Sequence, residues 1–145
     1  MKRLVLAFAL CPFLSFNIST RAQNSQPSAA AVSAVGVTVT NYTEAYYAGD
    51  AHRMEQTLHP HYLKHMIHAD IPMREKTGQQ MVQAVRSQGV PDIPQAERTE
   101  QVTVLDVAGT IASAKLVTPG WVDYITLSKS SGEWKILSVV QRIDN

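Results

Sequence analysis

The closing stretch of the chain, Trp121 to Arg142, reads WVDYITLSKSSGEWKILSVVQR. Two alternating runs flank Ser130-Ser131-Gly132, a turn signal, and the pattern predicts a long β-hairpin. A side-chain period of two puts Trp121, Asp123, Ile125 and Leu127 on one face of the first strand. It puts Trp134, Ile136, Ser138, Val140 and Arg142 on one face of the second. Each face is apolar near the turn and carries a charge at its far end. A sheet built this way covers a core at one end and lines a polar-tipped pocket at the other. Asp123 and Arg142 would then be neighbours at the mouth of that pocket.

The opposite end of the chain reads as a targeting segment. Lys2 and Arg3 precede an apolar run from Leu4 to Leu14, and Thr20-Arg21-Ala22 offers small residues around a cleavage point. The pattern is that of a secretory signal over residues 1–22, cut after Ala22, and the run is too short for a permanent membrane span. A buried N-terminal helix is one alternative. A lipid-bearing Cys11 is another, against which Leu10 stands where a small residue is needed. Removal of residues 1–22 takes away Lys2, Arg3 and Arg21, leaving ten basic and twelve acidic residues, a net charge of −2. The remaining basic residues are scattered, which gives no nucleic-acid surface. Cys11 is the single cysteine. The mature chain would therefore be periplasmic or secreted, without disulfides, with no membrane contact after cleavage, and dependent on its core alone.

Residues 23–30 (QNSQPSAA) read as a disordered leader, and a single domain follows over 31–145. Val32, Val35, Val39, Tyr42 and Tyr46 recur at spacings of three and four and predict a helix over Ala31–Ala48, with a strand at Val35–Thr40 as the competing reading. Gly49 stops that helix, and Asp50 caps a second one from Ala51 to about Leu58. His61–Ala69 reads as a strand. Thr77 and Gln80 form a capping-box pair that opens a third helix running to Ser87. Thr99–Val107, Thr110–Thr118 and the closing hairpin complete four strands in a meander. Helices segregated from a mainly antiparallel sheet make the chain α+β.

Several short stretches are distinctive: Tyr46-Tyr47-Ala48-Gly49-Asp50 with Met54 and Leu58-His59-Pro60, then Val122-Asp123-Tyr124-Ile125-Thr126-Leu127 and Gly132-Glu133-Trp134-Lys135-Ile136. In these the chain resembles the nuclear transport factor 2-like superfamily. Within the superfamily the chain is most similar to the small proteins labelled putative lumazine-binding, near the polyketide-cyclase-like and ketosteroid-isomerase-like branches. The resemblance implies a cone, in which a strongly curved sheet wraps around a pocket closed by about three helices. It does not imply one activity, because this architecture hosts isomerases, cyclases, dehydratases, binding modules and scaffolds.

Asp123 is the acid of most interest, since an inward carboxylate in an apolar pocket can serve as general base or acid. Pairing with Arg142 would make it an anchor and hold it ionised. His59, His61, His65 and His68 cluster, but Leu63 separates His61 from His65 on their shared face and no cysteine is at hand, so no metal site is expected. His65 is the histidine favoured as an acid/base partner of Asp123, and His61 as a ligand contact. Tyr46 could point its hydroxyl at a carbonyl, and Trp121 could stack on a flat ring. Trp134 reads as core. No motif for a bound cofactor is present. Three readings follow. One is an exported small-ligand-binding domain for an apolar or flat aromatic ligand, using Trp121, Asp123, Arg142, Tyr46 and His61. The second is an isomerase- or cyclase-type enzyme with Asp123, Tyr46 and His65 as catalytic groups. The third is an interaction module that forms homodimers through the outer sheet face, where Thr126, Ser128, Lys135 and Leu137 lie.

Overall fold

The computed structural model describes residues 26–143. The signal segment, its cleavage point, Cys11 and residues 23–25 of the leader lie outside the described residues. Helix α1 spans Ala29–Ala48 and begins two residues earlier than the spacing predicts, because the Ser28 side chain accepts from Ala31 N–H at 3.2 Å. Its Val- and Thr-rich sequence with Gly36 has weak intrinsic helicity. Packing compensates: Val35 and Val39 are fully buried and Tyr42 nearly so. The competing strand at Val35–Thr40 is not formed.

Gly49 ends α1 at φ 66° and donates to the carbonyls of Ala45 and Tyr46. A side chain is excluded there, since a Cβ would lie 2.3 Å from the Gly89 carbonyl carbon. Asp50 caps α2 (Ala51–Thr57) by accepting from Arg53 N–H at 2.9 Å. Strand β1 follows at once, over Leu58–Ile67. A short charged strand, β2 (Arg74–Thr77), has no counterpart in the sequence reading. Helix α3 (Gly78–Gln88) opens on the expected Thr77–Gln80 capping box. Strands β3 (Gln101–Ala108), β4 (Ile111–Val117), β5 (Trp121–Ser130) and β6 (Glu133–Ile143) complete the fold.

The six strands form one sheet in the order β2-β1-β6-β5-β4-β3. All neighbours are antiparallel except β1 and β6, which run parallel. The fold is thus the expected α+β cone, with three helices against an open, curved, mainly antiparallel sheet. Leu116, Ile125, Leu127 and Ile136 are fully buried between sheet and helices. Each contributes about 1.5–3 kcal/mol of hydrophobic stabilisation. The segment after α3 is held down by Arg98, which donates to the carbonyls of Ile93 and Pro91 at 2.9 and 3.1 Å. Among the described residues no helix is long and apolar enough to cross a membrane.

The closing hairpin corrects one expectation. Leu127 pairs with Ile136 but Thr126 pairs with Ser138, so Leu137 is an extra residue and β6 carries a bulge. A bulge reverses the side-chain alternation beyond it. Trp134 and Ile136 are buried as expected; past Leu137, it is Val139 and Gln141 that turn inward, while Val140 and Arg142 are exposed. Asp123 consequently pairs with Gln141, and Arg142 pairs with Val122 on the opposite face.

Candidate functional site

Inside the cone lies a cavity of about 340 Å³. Helix α1 contributes Tyr42, Thr43 and Tyr46 to its wall, and α3 contributes Met81 and Gln88. Strand β1 supplies Lys64 and Met66, and β2 supplies Arg74 and Lys76. Trp121, Gln141 and Ile143 close the remaining side. A wider surface groove of about 920 Å³ runs between α2 and α3, but it holds no buried charge and lies outside the cone.

The polar centre of the cavity wall is Lys64, which is 4% exposed. Its flanking residues Tyr62 and Met66 share the inward face of β1 and are buried with it. Lys64 Nζ donates to Tyr42 Oη at 3.0 Å, and Tyr42 Oη lies 3.3 Å from Tyr62 Oη. Asp123, fully buried, brings Oδ2 to 3.7 Å from Lys64 Nζ. Neither Asp123 oxygen has a partner in good hydrogen-bond geometry, although the side chains of Gln141, Lys64 and Trp121 approach closely enough to favour its ionised form. Asp123 does not line the cavity; it meets Lys64, which does.

Burial dominates the electrostatics on both sides of this pair. Desolvation pushes the Asp123 carboxyl up from its ordinary value, with Lys64 opposing. Desolvation pushes the Lys64 ammonium down, with Asp123 opposing and Lys76 adding to the fall. Burial likewise holds the Tyr42 and Tyr62 hydroxyls well above the usual phenol range, so both stay protonated.

Strand register sets the remaining charges. Lys76 is the cross-strand partner of Lys64, and Arg74 is the partner of Met66. Cross-strand partners share a face, so the three cations converge on one cavity. Opposite this cluster, Trp121 is anchored at the start of β5 by bonds between its backbone and Thr118. Its ring meets Tyr46 edge-on, with centroids 5.5 Å apart.

Of the residues singled out in the sequence, Tyr46 and Trp121 line the cavity, and Asp123 stands against it. Arg142 does not join Asp123, because the Leu137 bulge turns it to the other face. His65 and His61 are on the outer face of β1: His65 Nε2 lies 3.1 Å from Glu75 Oε1, and His61 is exposed beside His59. Among the described residues, no group of three His, Cys, Asp or Glu is arranged to hold a metal ion. Sequence reasoning missed Lys64, Lys76 and Arg74. A signal for Lys64 was present, since Tyr62, Lys64 and Met66 alternate with the histidines, and two large apolar neighbours mark that face as the inner one.

A family model described as "Putative lumazine-binding" matches residues 30–141. Among solved structures, the chain is similar to a nuclear transport factor 2-like protein of unknown function from Methylobacillus flagellatus, with a TM-score of 0.67, 16% identity, and coverage of 82% of this chain and 96% of the other. A nuclear transport factor 2-like protein of unknown function from Silicibacter pomeroyi gives a TM-score of 0.64 at 17% identity, covering 78% and 95%. A ketosteroid isomerase-like protein from Erwinia carotovora atroseptica gives 0.55 at 10% identity, covering 79% and 96%. These identities speak for the fold alone. No curated protein matches the sequence significantly.

Proposed function

Since the chain belongs to the putative lumazine-binding family of nuclear transport factor 2-like folds, we propose that it is a small-ligand-binding domain whose ligand is an anion with a flat body. The observation that carries this reading is the placing of Lys76 directly across from Lys64, with Arg74 beside them, around one cavity. Like charges opposed on a sheet are destabilising, and Asp123 offsets only one of the three. A bound carboxylate or phosphate removes the remaining conflict through charge-assisted hydrogen bonds. The volume is within the range of small-molecule sites, and the Trp121–Tyr46 wall suits a planar ring. Lumazine, the heterocycle in the family's description, is such a planar body.

The test is native mass spectrometry of protein purified from its own host, followed by calorimetric titration with lumazine and with aromatic carboxylates. A co-purified anionic small molecule, or titratable binding that is lost in the K76M/R74M double variant, supports the reading. Binding unaffected by that double variant, or none to any of these probes from protein that carries nothing, overturns it.

Two wider properties belong to the same proposal. The protein is exported, with a mature chain beginning at Gln23, which the mass of the protein recovered from the host checks. It also forms a homodimer through the outer sheet face, where exposed Tyr124 and Val140 are paired across β5 and β6. A Y124E variant that sediments as the wild-type chain does would overturn the dimer.

A further inference from the structure

Lys64 is a primary amine enclosed in the cavity wall, and ion pairing does not account for its whole setting. Its counter-ion sits at 3.7 Å, beyond a close contact, while its short bond, at 3.0 Å, is to a tyrosine hydroxyl. Both Lys64 and Tyr42 line the cavity, and Lys76 and Arg74 stand on the same face. We propose that Lys64 is a nucleophile that forms an imine with a carbonyl compound bearing a carboxylate, a 2-oxo acid. This inference rests on the anionic-ligand reading above and names the ligand's reactive group.

The step balances without oxidant or reductant. The amine lone pair attacks the carbonyl carbon, a C–N bond forms, and the C=O π pair moves to oxygen. The Tyr42 hydroxyl gives that oxygen a proton and recovers one from nitrogen, 3.0 Å away. The second amine hydrogen then follows the same route as the C–O bond breaks and the nitrogen pair closes C=N. One carbonyl and one amine become one imine and one water. On taking up one proton from solvent the imine carries the charge that the ammonium carried, so Asp123 Oδ2 serves both. Lys76 and Arg74 hold the carboxylate a short span from the reacting carbon. Burial and the facing Lys76 favour the neutral amine that the attack requires, while Asp123 opposes them.

The test uses phenylpyruvate, whose ring, ketone and carboxylate match the three parts of the cavity, with sodium cyanoborohydride as the trap. The full chain is expected to gain one adduct, heavier by the keto acid less one oxygen, and peptide mapping places it on Lys64. Mapping on the unaltered chain holds even if K64R does not fold; a folded K64R should gain none. K76M should label about tenfold more slowly, as expected for loss of a contact to a charged group. Phenyllactate, which lacks the ketone, should bind and should compete with labelling. Binding of phenyllactate with no adduct, or with adducts spread over Lys115, Lys129 and Lys135, overturns the imine and leaves the anion-binding reading standing. Neither binding nor labelling overturns both.

Discussion

Lys76 lies directly across the β1–β2 pair from Lys64, and both line the same cavity. Two cations so placed weaken the empty protein. Replacing Lys76 by methionine removes the repulsion and keeps most of the side-chain volume. The K76M variant is expected to be more stable than the parent by up to about 1 kcal/mol, read from urea denaturation, while its affinity for anions falls. A variant that loses stability and keeps affinity would show that Lys76 serves packing instead.

The buried pair has a pH signature. The Lys64 pKa is lowered in the folded protein, so the unfolded chain binds more protons between that lowered value and the ordinary 10.5. Stability therefore rises as pH climbs from that lowered value towards the upper limit. The groups facing Lys64 are Asp123, Tyr42, Tyr62, Lys76 and Arg74. Asp123, raised, makes stability fall as pH climbs from its ordinary 3.8 through its raised folded value, so the rise due to Lys64 is read above that fall. The tyrosines, also raised, reverse the trend only above their ordinary 10.0. Denaturation of wild type and K64M at a series of pH values up to 10.0 should show the rise in the first and its loss in the second.

Tyr42 ties α1 to the polar centre of the cavity. The Y42F change leaves Lys64 Nζ and Tyr62 Oη without their shared partner in a buried place. The expected cost is about 1–3 kcal/mol, measured by chemical denaturation. An unchanged midpoint would mean that water takes over the hydroxyl's role.

The bulge at Leu137 makes a prediction that strict alternation reverses. Val139 is fully buried and Val140 is 43% exposed. V139T puts a hydroxyl into the core and should cost about 1–3 kcal/mol, whereas V140T should stay within about 0.5 kcal/mol. Thermal melts of the two variants decide which parity the strand has.

At the α1 terminus, G49A meets both a positive φ and the backbone of Gly89 and Val90. Gly109 shares the positive φ, at 62°, but has open space around it. G109A is expected to cost about 1–2 kcal/mol from conformation alone. G49A should cost clearly more, because α1 and the end of α3 must part. Equal losses would refute the close approach.

Much of this fold was legible from residue patterns. Val35, Val39 and Tyr42 at helical spacing, the Thr77–Gln80 box and the Gly49–Asp50 break each reflect local chemistry, and each stands where it was read. Three things were not legible. The bulge at Leu137 arises from how β6 fits its partner β5, and no residue in LSVV marks it. Strand β2 is a charged edge, REKT, whose strand form depends on pairing with β1 rather than on its own composition. The inner face of β1 was hidden by its histidines, which drew attention to the outer face, while Lys64 became meaningful only once Asp123 was brought from β5 to meet it. Trp121 and Tyr46 were found because large aromatics near a strand start and a helix end are conspicuous wherever they point.

The parallel pairing of β1 with β6 gives the cavity a place in the order of assembly. Lys64 and Gln141 lie far apart in the chain, on strands that meet only when the long stretch between them is brought round. Closing so long a loop is slow, and the cavity is incomplete until β1 and β6 pair. A ligand that spans Lys64 and Gln141 acts as a clasp across the β1–β6 seam. Its arrival would be recorded in the amides of β6, which should exchange with deuterium more slowly, even though the ligand's own charge rests on β1 and β2.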